Sequence, residues 1–360
     1  MNILQISSAS SFGGGERYVA DLTNALTKRG HELYVAVRPN SPLPRHLQLP
    51  PERIVTLPLR NALDVQSARA LDSFVRSRGI EIVHAHMARD YSLAAYAARR
   101  RETKFIVTRH VLFQLSRLHR HTLARAARVI AVSQAVAREL RAAGVVNEEQ
   151  IAVIPNGVDV DRFNRARSES HQELLVGSIG EIRTLKRHDD FIRAAAQIAS
   201  GFPETRFVLA GTGNGREQLE ELVIDLGLED KFRFLGWVEE AEQLLCELDV
   251  FVSASETESF GLAIVEAMAA ETAVVATATD GACEVIENQK TGLLVPIGNV
   301  DQIAAAVLNL LGDPDTRREM ATRAKRAANE RFSLNRMVNE IEQIYLATDE
   351  HDKNPDLKSA

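Results

Sequence analysis

Two periodicities alternate along this chain. Short runs of aliphatic and β-branched residues are followed by polar turns, and then by stretches in which apolar residues recur every third or fourth position. The first pattern predicts buried strands and the second amphipathic helices. In the first half, strands are expected at 2–6, 32–37, 53–57, 81–84, 104–108, 128–131 and 151–154. Between them the pattern predicts helices over Glu16 to Arg29, Val65 to Ser77, Tyr91 to Arg100 and Gln134 to Ala143, the first stopped by Gly30. A second series of strands follows at 174–179, 206–210, 232–235, 250–252, 273–276 and 292–295, with helices beginning near His188, Gly215, Glu239, Gly261 and Gly281. From Val300 the chain reads as helical to about Leu346.

Strand and helix in strict alternation imply parallel sheets covered on both faces, so the expected fold class is α/β with two Rossmann-like, doubly wound domains in tandem. The polar stretch from Arg165 to Glu173 reads as the linker. Expected boundaries are 1–168 for the first domain, 169–332 for the second, 333–347 for a helix crossing back to the first, and 348–360 for a frayed tail. In such sheets ligands gather at the carboxyl ends of the strands, and a cleft between the domains is the expected place for chemistry.

Composition narrows the class. With 360 residues, 45% hydrophobic and 26% charged, the chain can bury full cores and is not a disordered protein. The start runs at once into the strand from Asn2 to Ile6, and no segment nears the ~18 uncharged residues of a membrane span, so a cytoplasmic chain is expected. Cys246 and Cys283 lack metal-ligand spacing and read as reduced packing residues. The net charge of −6 hides an asymmetry: residues 1–170 carry 25 lysines and arginines against 15 acids, the remainder 18 against 34. Arg99, Arg100, Arg101, Lys104, Arg109, Arg117, Arg120, Arg125, Arg128, Arg138 and Arg141 form a basic stretch suited to an anionic membrane surface or a lipid diphosphate. No nucleic-acid motif accompanies it, so no nucleic-acid partner is expected. Ordinary solvation of a charged face explains the stretch equally well.

Candidate chemistry sits in the turns that follow strands. Gly13-Gly14-Gly15-Glu16 after the first strand leaves a helix start open to a ligand. Gly180-Glu181-Ile182-Arg183-Thr184-Leu185-Lys186-Arg187-His188 holds three cations able to neutralise a diphosphate without a metal. Glu258 and Glu266 flank Phe260, Gly261 and Leu262 at the mouth of an apolar helix, where a ligand with two hydroxyl-bearing ends and a phosphate between them would fit. His84 and His86 lie on one face of a strand without a carboxylate or cysteine partner, so they read as structural and no metal site is expected. Asn156 and Asp159 read as turn formers.

Taken in order, these segments resemble the family 4 retaining glycosyltransferases of GT-B fold. The matching stretches are Gly13 to Glu16, Thr108-Arg109-His110, Ile154 to Asp159, Gly180 through Lys186, Gly211-Thr212-Gly213, Phe234 to Trp237, the Glu258 to Glu266 block, Glu284, and Thr291 to Val295. The resemblance implies two Rossmann-like domains facing across a cleft and transfer of a sugar from a UDP- or GDP-sugar to an acceptor hydroxyl, with retention of configuration and no cofactor. A sugar, a lipid-linked glycan or a cell-envelope polysaccharide would be the acceptor, and the enzyme would work peripherally on the inner face of the plasma membrane. It implies Glu258 on the donor sugar, Glu266 on the ribose and Lys186 on the diphosphate, with His110 near the reacting carbon. The amides around Phe260, Gly261 and Leu262 would complete the phosphate cradle. Gly14 and Gly15 would bound the cleft, and Gly211 and Trp237 would flank the base. Two departures stand out. Glu181 replaces the usual arginine, with Arg183 expected to substitute for it, and Glu271 and Ala273 replace the usual glycine and proline, which asks Glu271 for a left-handed backbone costing ~1 kcal/mol. The competing readings are a non-catalytic nucleotide-sugar-binding protein, suggested by Glu181, and a sugar-nucleotide epimerase of the same fold. A glycoside hydrolase is excluded if Glu258 and Glu266 stand farther apart than the roughly 5 to 9.5 Å such enzymes use.

Overall fold

A computed structural model describes residues 1–100, 102–116, 119–164 and 173–350, the last three as backbone alone. Arg101, Arg117, most of the expected linker and the tail after 350 lie outside the described residues. The chain divides into two compact units, 1–157 with 334–360, and 158–333.

The first unit is built on a seven-stranded sheet whose strands all pair in parallel. In chain order its elements are β1 (Asn2–Ser7), α1 (Gly14–Lys28), β2 (Glu32–Val37), β3 (Ile54–Thr56), α2 (Val65–Ser77), β4 (Ile82–Ala85), α3 (Tyr91–Ala97), β5 (Lys104–Arg109), α4 (His119–Leu123), β6 (Arg128–Ala131), α5 (Gln134–Ala143) and β7 (Ile151–Val153). Spatial order is β3-β2-β1-β4-β5-β6-β7, so the winding reverses between β1 and β4. Caps explain the sharp helix starts. Asp64 accepts the Ser67 N–H ahead of α2, Ser133 accepts that of Val136 ahead of α5, and left-handed Gly144 ends α5.

The second unit carries a six-stranded parallel sheet in the order β10-β9-β8-β11-β12-β13, reversing between β8 and β11. Its elements are β8 (Leu175–Ile179), α6 (His188–Gly201), β9 (Arg206–Ala210), α7 (Arg216–Asp225), β10 (Phe232–Gly236), α8 (Ala241–Glu247), β11 (Val250–Ser253), α9 (Leu262–Ala269), β12 (Ala273–Thr277), α10 (Asp280–Val285), β13 (Leu293–Val295), α11 (Val300–Gly312) and α12 (Pro314–Arg331). α13 (Leu334–Glu350) belongs to the first unit, where Met337, Val338, Ile341 and Tyr345 join the core around Ile3, Leu22 and Ile106.

Three details differ from the expected pattern. The run expected to be continuously helical after Val300 is three helices, because Asp313 caps α12 with Pro314 in its first turn, and buried Phe332 separates α12 from α13. The boundary falls at 157/158 rather than 168/169: the Val158 N–H donates to the Phe332 carbonyl, and Phe163 is buried within the second unit, its carbonyl meeting Cys246 Sγ. α1 begins at Gly14, two residues before the expected Glu16, whose carboxylate instead turns back to accept the Gly13 N–H at 3.0 Å. Glu271 does adopt the left-handed conformation, φ 59°, and its carboxylate accepts from Thr322 and Lys325, which offsets the strain. Both cysteines are free.

Candidate functional site

In the second unit the turns after β8, β9 and β10 are joined through their backbones. Gly180 N donates to Ala210 O at 2.9 Å, Ile182 N to Thr212 O at 2.9 Å, and Gly211 N to Gly236 O at 2.7 Å. A Cβ on Gly211 would stand 1.8 Å from the Gly180 carbonyl oxygen, and one on Gly213 would stand 2.0 Å from that of Ile182. Only glycine lets these loops touch, and the contact holds the segment after β8 against its neighbours.

That segment ends in a 3₁₀ turn, Thr184–Lys186, followed by left-handed Arg187 at the start of α6. Each of its cations already has an anionic partner. Arg183 pairs with Glu181 at 3.0 Å, Lys186 with Glu258 at 2.5 Å, and Arg187 with Asp190 at 2.6 Å and Glu256 at 3.7 Å. Burial holds His188 neutral, at about 4. The Lys186–Glu258 pair brings together the loops after β8 and β11, the two strands at which the winding reverses, where ligands of such sheets gather.

Glu258 is fixed from several directions. Its Oε1 accepts from Lys186 Nζ and, at 2.8 Å, from the hydroxyl of buried Ser255. Its carbonyl accepts the Gly281 N–H at 3.0 Å. A Cβ on Gly281 would lie 2.6 Å from Phe260 N, so α10 packs directly beneath the 258–260 backbone. Thr277 reinforces the loop by donating to the carbonyl of Ser255 at 2.5 Å. Among the described residues Oε2 of Glu258 has no hydrogen-bond partner, which leaves it as the acceptor presented outward.

Left-handed Gly261, φ 91°, turns this loop into α9, and Leu262 is its first helical residue. Glu266, half-buried, follows one turn on. The Phe260 ring is buried edge-on against Phe332, so at this position the main chain alone is left to meet a ligand. Trp237, 53% exposed, follows left-handed Gly236 at the end of β10. Sequence reasoning brought Lys186, Glu258, Gly261 and Glu266 together but missed Ser255, Thr277 and Gly281. The Ser-x-x-Glu spacing from Ser255 to Glu258, a familiar loop-fixing pattern, was the available signal for the first.

In the first unit His110 follows β5 at the carboxyl end of the sheet, partly exposed and held neutral at about 3 by burial of its ring. Gly14 and Gly15 begin α1 after β1, with the Glu16 carboxylate already bonded at the helix mouth. Arg183 does not reach toward an open site as expected, because Glu181 holds it. The basic stretch is partly neutralised as well: Arg99 pairs with Asp72, Arg141 with Glu148, and buried Arg109 donates to the Phe113 carbonyl. Among the described residues no group of acids, histidines and cysteines is arranged to hold a metal ion, and no helix is long and apolar enough to cross a membrane.

Two family models match the chain end to end: Glycosyltransferase Family 4 over residues 12–162, and Glycosyl transferases group 1 over residues 159–327. Among curated relatives, N-acetyl-alpha-D-glucosaminyl L-malate synthase of Bacillus anthracis is 28% identical, covering 97% of this chain and 98% of its own length. Phosphatidyl-myo-inositol mannosyltransferase of Mycolicibacterium smegmatis is 29% identical, covering 92% and 90%. Among solved structures, Anabaena HepE in complex with UDP and glucose superposes with a TM-score of 0.83 at 22% identity, over 96% of this chain and all of that one. The last likeness speaks for the fold.

Proposed function

The chain belongs to the family 4 glycosyltransferases, with the GT-B fold, and from that premise we propose that it moves a sugar from a nucleotide-sugar donor to an acceptor hydroxyl, with retention of configuration and without a metal. The observation that carries the assignment of the site is the fixed carboxylate of Glu258. One oxygen is tied to Lys186 and Ser255, and the other is left to accept a donor-sugar hydroxyl. Glu266, on the same short helix, takes the ribose hydroxyls, and the diphosphate lies at the amides of Phe260, Gly261 and Leu262, drawn there by the helix's positive end. Lys186 then shares its charge between Glu258 and the phosphates, and Arg183 joins it on leaving Glu181. Gly211 and the Gly236-Trp237 turn flank the base. His110 meets the donor sugar near the reacting carbon, with Gly14 and Gly15 beside it.

No side chain in this set is a nucleophile with an adjacent base. A same-face displacement, in which the departing phosphate takes the acceptor proton, asks the protein for positioning and for charge stabilisation, and both are present. The UDP in the HepE complex makes a UDP-sugar the first donor to test, with a GDP-sugar second. The phosphatidyl-myo-inositol mannosyltransferase relationship favours a lipid-linked or cell-envelope acceptor. Exposed Arg100, Arg120 and Arg125 would meet an anionic leaflet, each worth on the order of 1 kcal/mol.

The test begins with a thermal-shift panel of UDP- and GDP-sugars, in which a donor at ~100 times its Kd stabilises by ~2.7 kcal/mol. Turnover of the best donor with lipid extracts follows, and proton NMR of the product reads the anomer. An inverted product or abolition by EDTA would defeat the mechanism. Donor binding without transfer to any acceptor would return the non-catalytic reading, and donor isomerised in the absence of acceptor would return the epimerase. Sedimentation with anionic and neutral vesicles decides the membrane component.

A further inference from the structure

A string of polar side chains runs through the core of the first unit. Gln5 on β1, His84 on β4, Thr108 on β5 and Tyr345 on α13 are fully buried, and His86, just after β4, nearly so. Apolar residues would fill this space at lower cost, because each polar group taken from water must find a partner. Here each has one. His84 Nδ1 is 2.6 Å from the Tyr345 hydroxyl and its Nε2 is 2.7 Å from Thr108 Oγ1. The Gln5 amide nitrogen donates to Tyr345 at 3.5 Å, and its oxygen lies 2.7 Å from His86 Nε2. His86 Nδ1 is 3.3 Å from His110 Nε2, and there, at a partly exposed residue, the string reaches the surface.

Burial keeps His84 and His110 neutral, both at about 3, and pushes His86 well below its ordinary value. Burial also raises the Tyr345 phenol, which stays protonated. A neutral imidazole donates from one nitrogen and accepts at the other. Two proton orders therefore satisfy the whole string, and the orientation of the Gln5 amide chooses between them. With its oxygen toward His86, that ring donates from Nε2, accepts at Nδ1, and takes this last bond from the Nε2–H of His110. His110 is left with a bare Nδ1. On the other side the amide donates to the Tyr345 oxygen, the phenol donates to His84 Nδ1, and His84 donates from Nε2 to Thr108. Turning the amide round reverses every step and puts the His110 proton on Nδ1.

We propose that Tyr345 is a positioning residue for the transferase reaction: by holding the Gln5 amide, its hydroxyl fixes His110 as the tautomer that offers Nδ1 as an acceptor to a sugar hydroxyl. The role rests on His110 meeting the donor sugar, as proposed above. It gives α13 a task beyond filling the core.

Nitrogen-15 spectra of the full-length wild-type protein at neutral pH should show His110 protonated at Nε2 alone, and a proton on Nδ1 would overturn the proposal. Tyr345→Phe keeps the ring in the core and removes only the hydroxyl. Both His110 tautomers should then appear, and kcat should fall about twofold or more, since half the molecules or fewer remain competent. KM for UDP-glucose or UDP-N-acetylglucosamine, whichever the wild type turns over, should stay the same. A single unchanged tautomer in Tyr345→Phe would overturn the proposal, as would a tautomer mixture with unchanged kcat. Should that variant not fold, Gln5→Met breaks the string at its next link and is read by the same spectra. His110→Ala separates the two levels: full activity there defeats the placement of His110 at the sugar, whereas an inactive His110→Ala beside a fully active Tyr345→Phe sinks the positioning role alone.

Discussion

Lys186 and Glu258 hold each other at 2.5 Å, and Arg183 and Glu181 at 3.0 Å, so a diphosphate entering this site exchanges partners with acids already in place. The two pairs differ in setting. Glu258 is largely buried and shares its oxygen with Ser255, whereas Glu181 and Arg183 are both exposed, where an ion pair is worth ~0–1 kcal/mol. Removing Glu181 therefore releases a cation at little cost. Glu181→Gln should tighten donor binding a few-fold in titration calorimetry and Arg183→Ala should weaken it; identical affinities in all three proteins would show that Arg183 takes no part. Lys186→Ala strips charge from both the carboxylate and the phosphates, and kcat/KM should drop by about 10²–10³, the scale for losing one charge-stabilising donor. At this scale the sequence was half legible. The types and spacing of Lys186, Glu258 and Glu266 exposed their chemistry, but which acid holds which cation depends on loops brought together from 72 positions apart, as the Lys186–Glu258 bond is. The neighbours of Arg183 in sequence include Glu181, and the pairing of two exposed side chains two residues apart was within reach of the sequence.

Strands and helices were the most legible level, because their signals are local. Runs such as Phe251-Val252 and Val274-Val275 have no alternative to a buried strand, and the matching start of α6 at His188 follows from the polar break before it. The division of the last helical run was also written, in the Asp313-Pro314 pair, whereas the five-residue α4 carries too few turns for a periodic pattern to show. What stayed hidden is the backbone contact between loops. Gly211 reads as an ordinary turn glycine until the Gly180 carbonyl is found 1.8 Å from where its side chain would begin, at φ 144°. Gly211→Ala should thus cost about 3 kcal/mol or more in urea denaturation and abolish donor binding, since strain and collision combine there. Gly30→Ala, with φ 86° and nothing within 4 Å of the added carbon, pays only the backbone term, about 1 kcal/mol, and should leave donor affinity untouched. Equal losses in the two variants would mean the loops are not in contact.

Across the whole molecule, proton linkage separates the two units. The first buries neutral His84, His86 and His110, and the second buries His188, which sits at about 4. Unfolded, each imidazole titrates near ~6.5. Below that pH the unfolded chain binds protons that the folded chain refuses, so stability fully present above ~6.5 is lost on acidification, by up to ~1.4 kcal/mol per pH unit for each group. The loss ends near the folded values, about 3 for His84 and His110 and about 4 for His188. Asp90 works in the opposite sense: burial lifts its carboxyl to about 6, so between there and 3.8 the folded state holds the extra proton and gains stability as pH falls. In the first unit three groups oppose one, leaving a net loss of two groups' worth, against one in the second. Trp237 is the chain's single tryptophan and lies in the second unit, so its fluorescence reports that unit, while far-UV dichroism reports both. Between pH 7 and pH 5 the urea midpoint followed by dichroism should therefore fall farther than the one followed by fluorescence. Midpoints that move together would mean that the units unfold as one, and midpoints that do not move at all would mean that the imidazoles of the first unit are protonated in place.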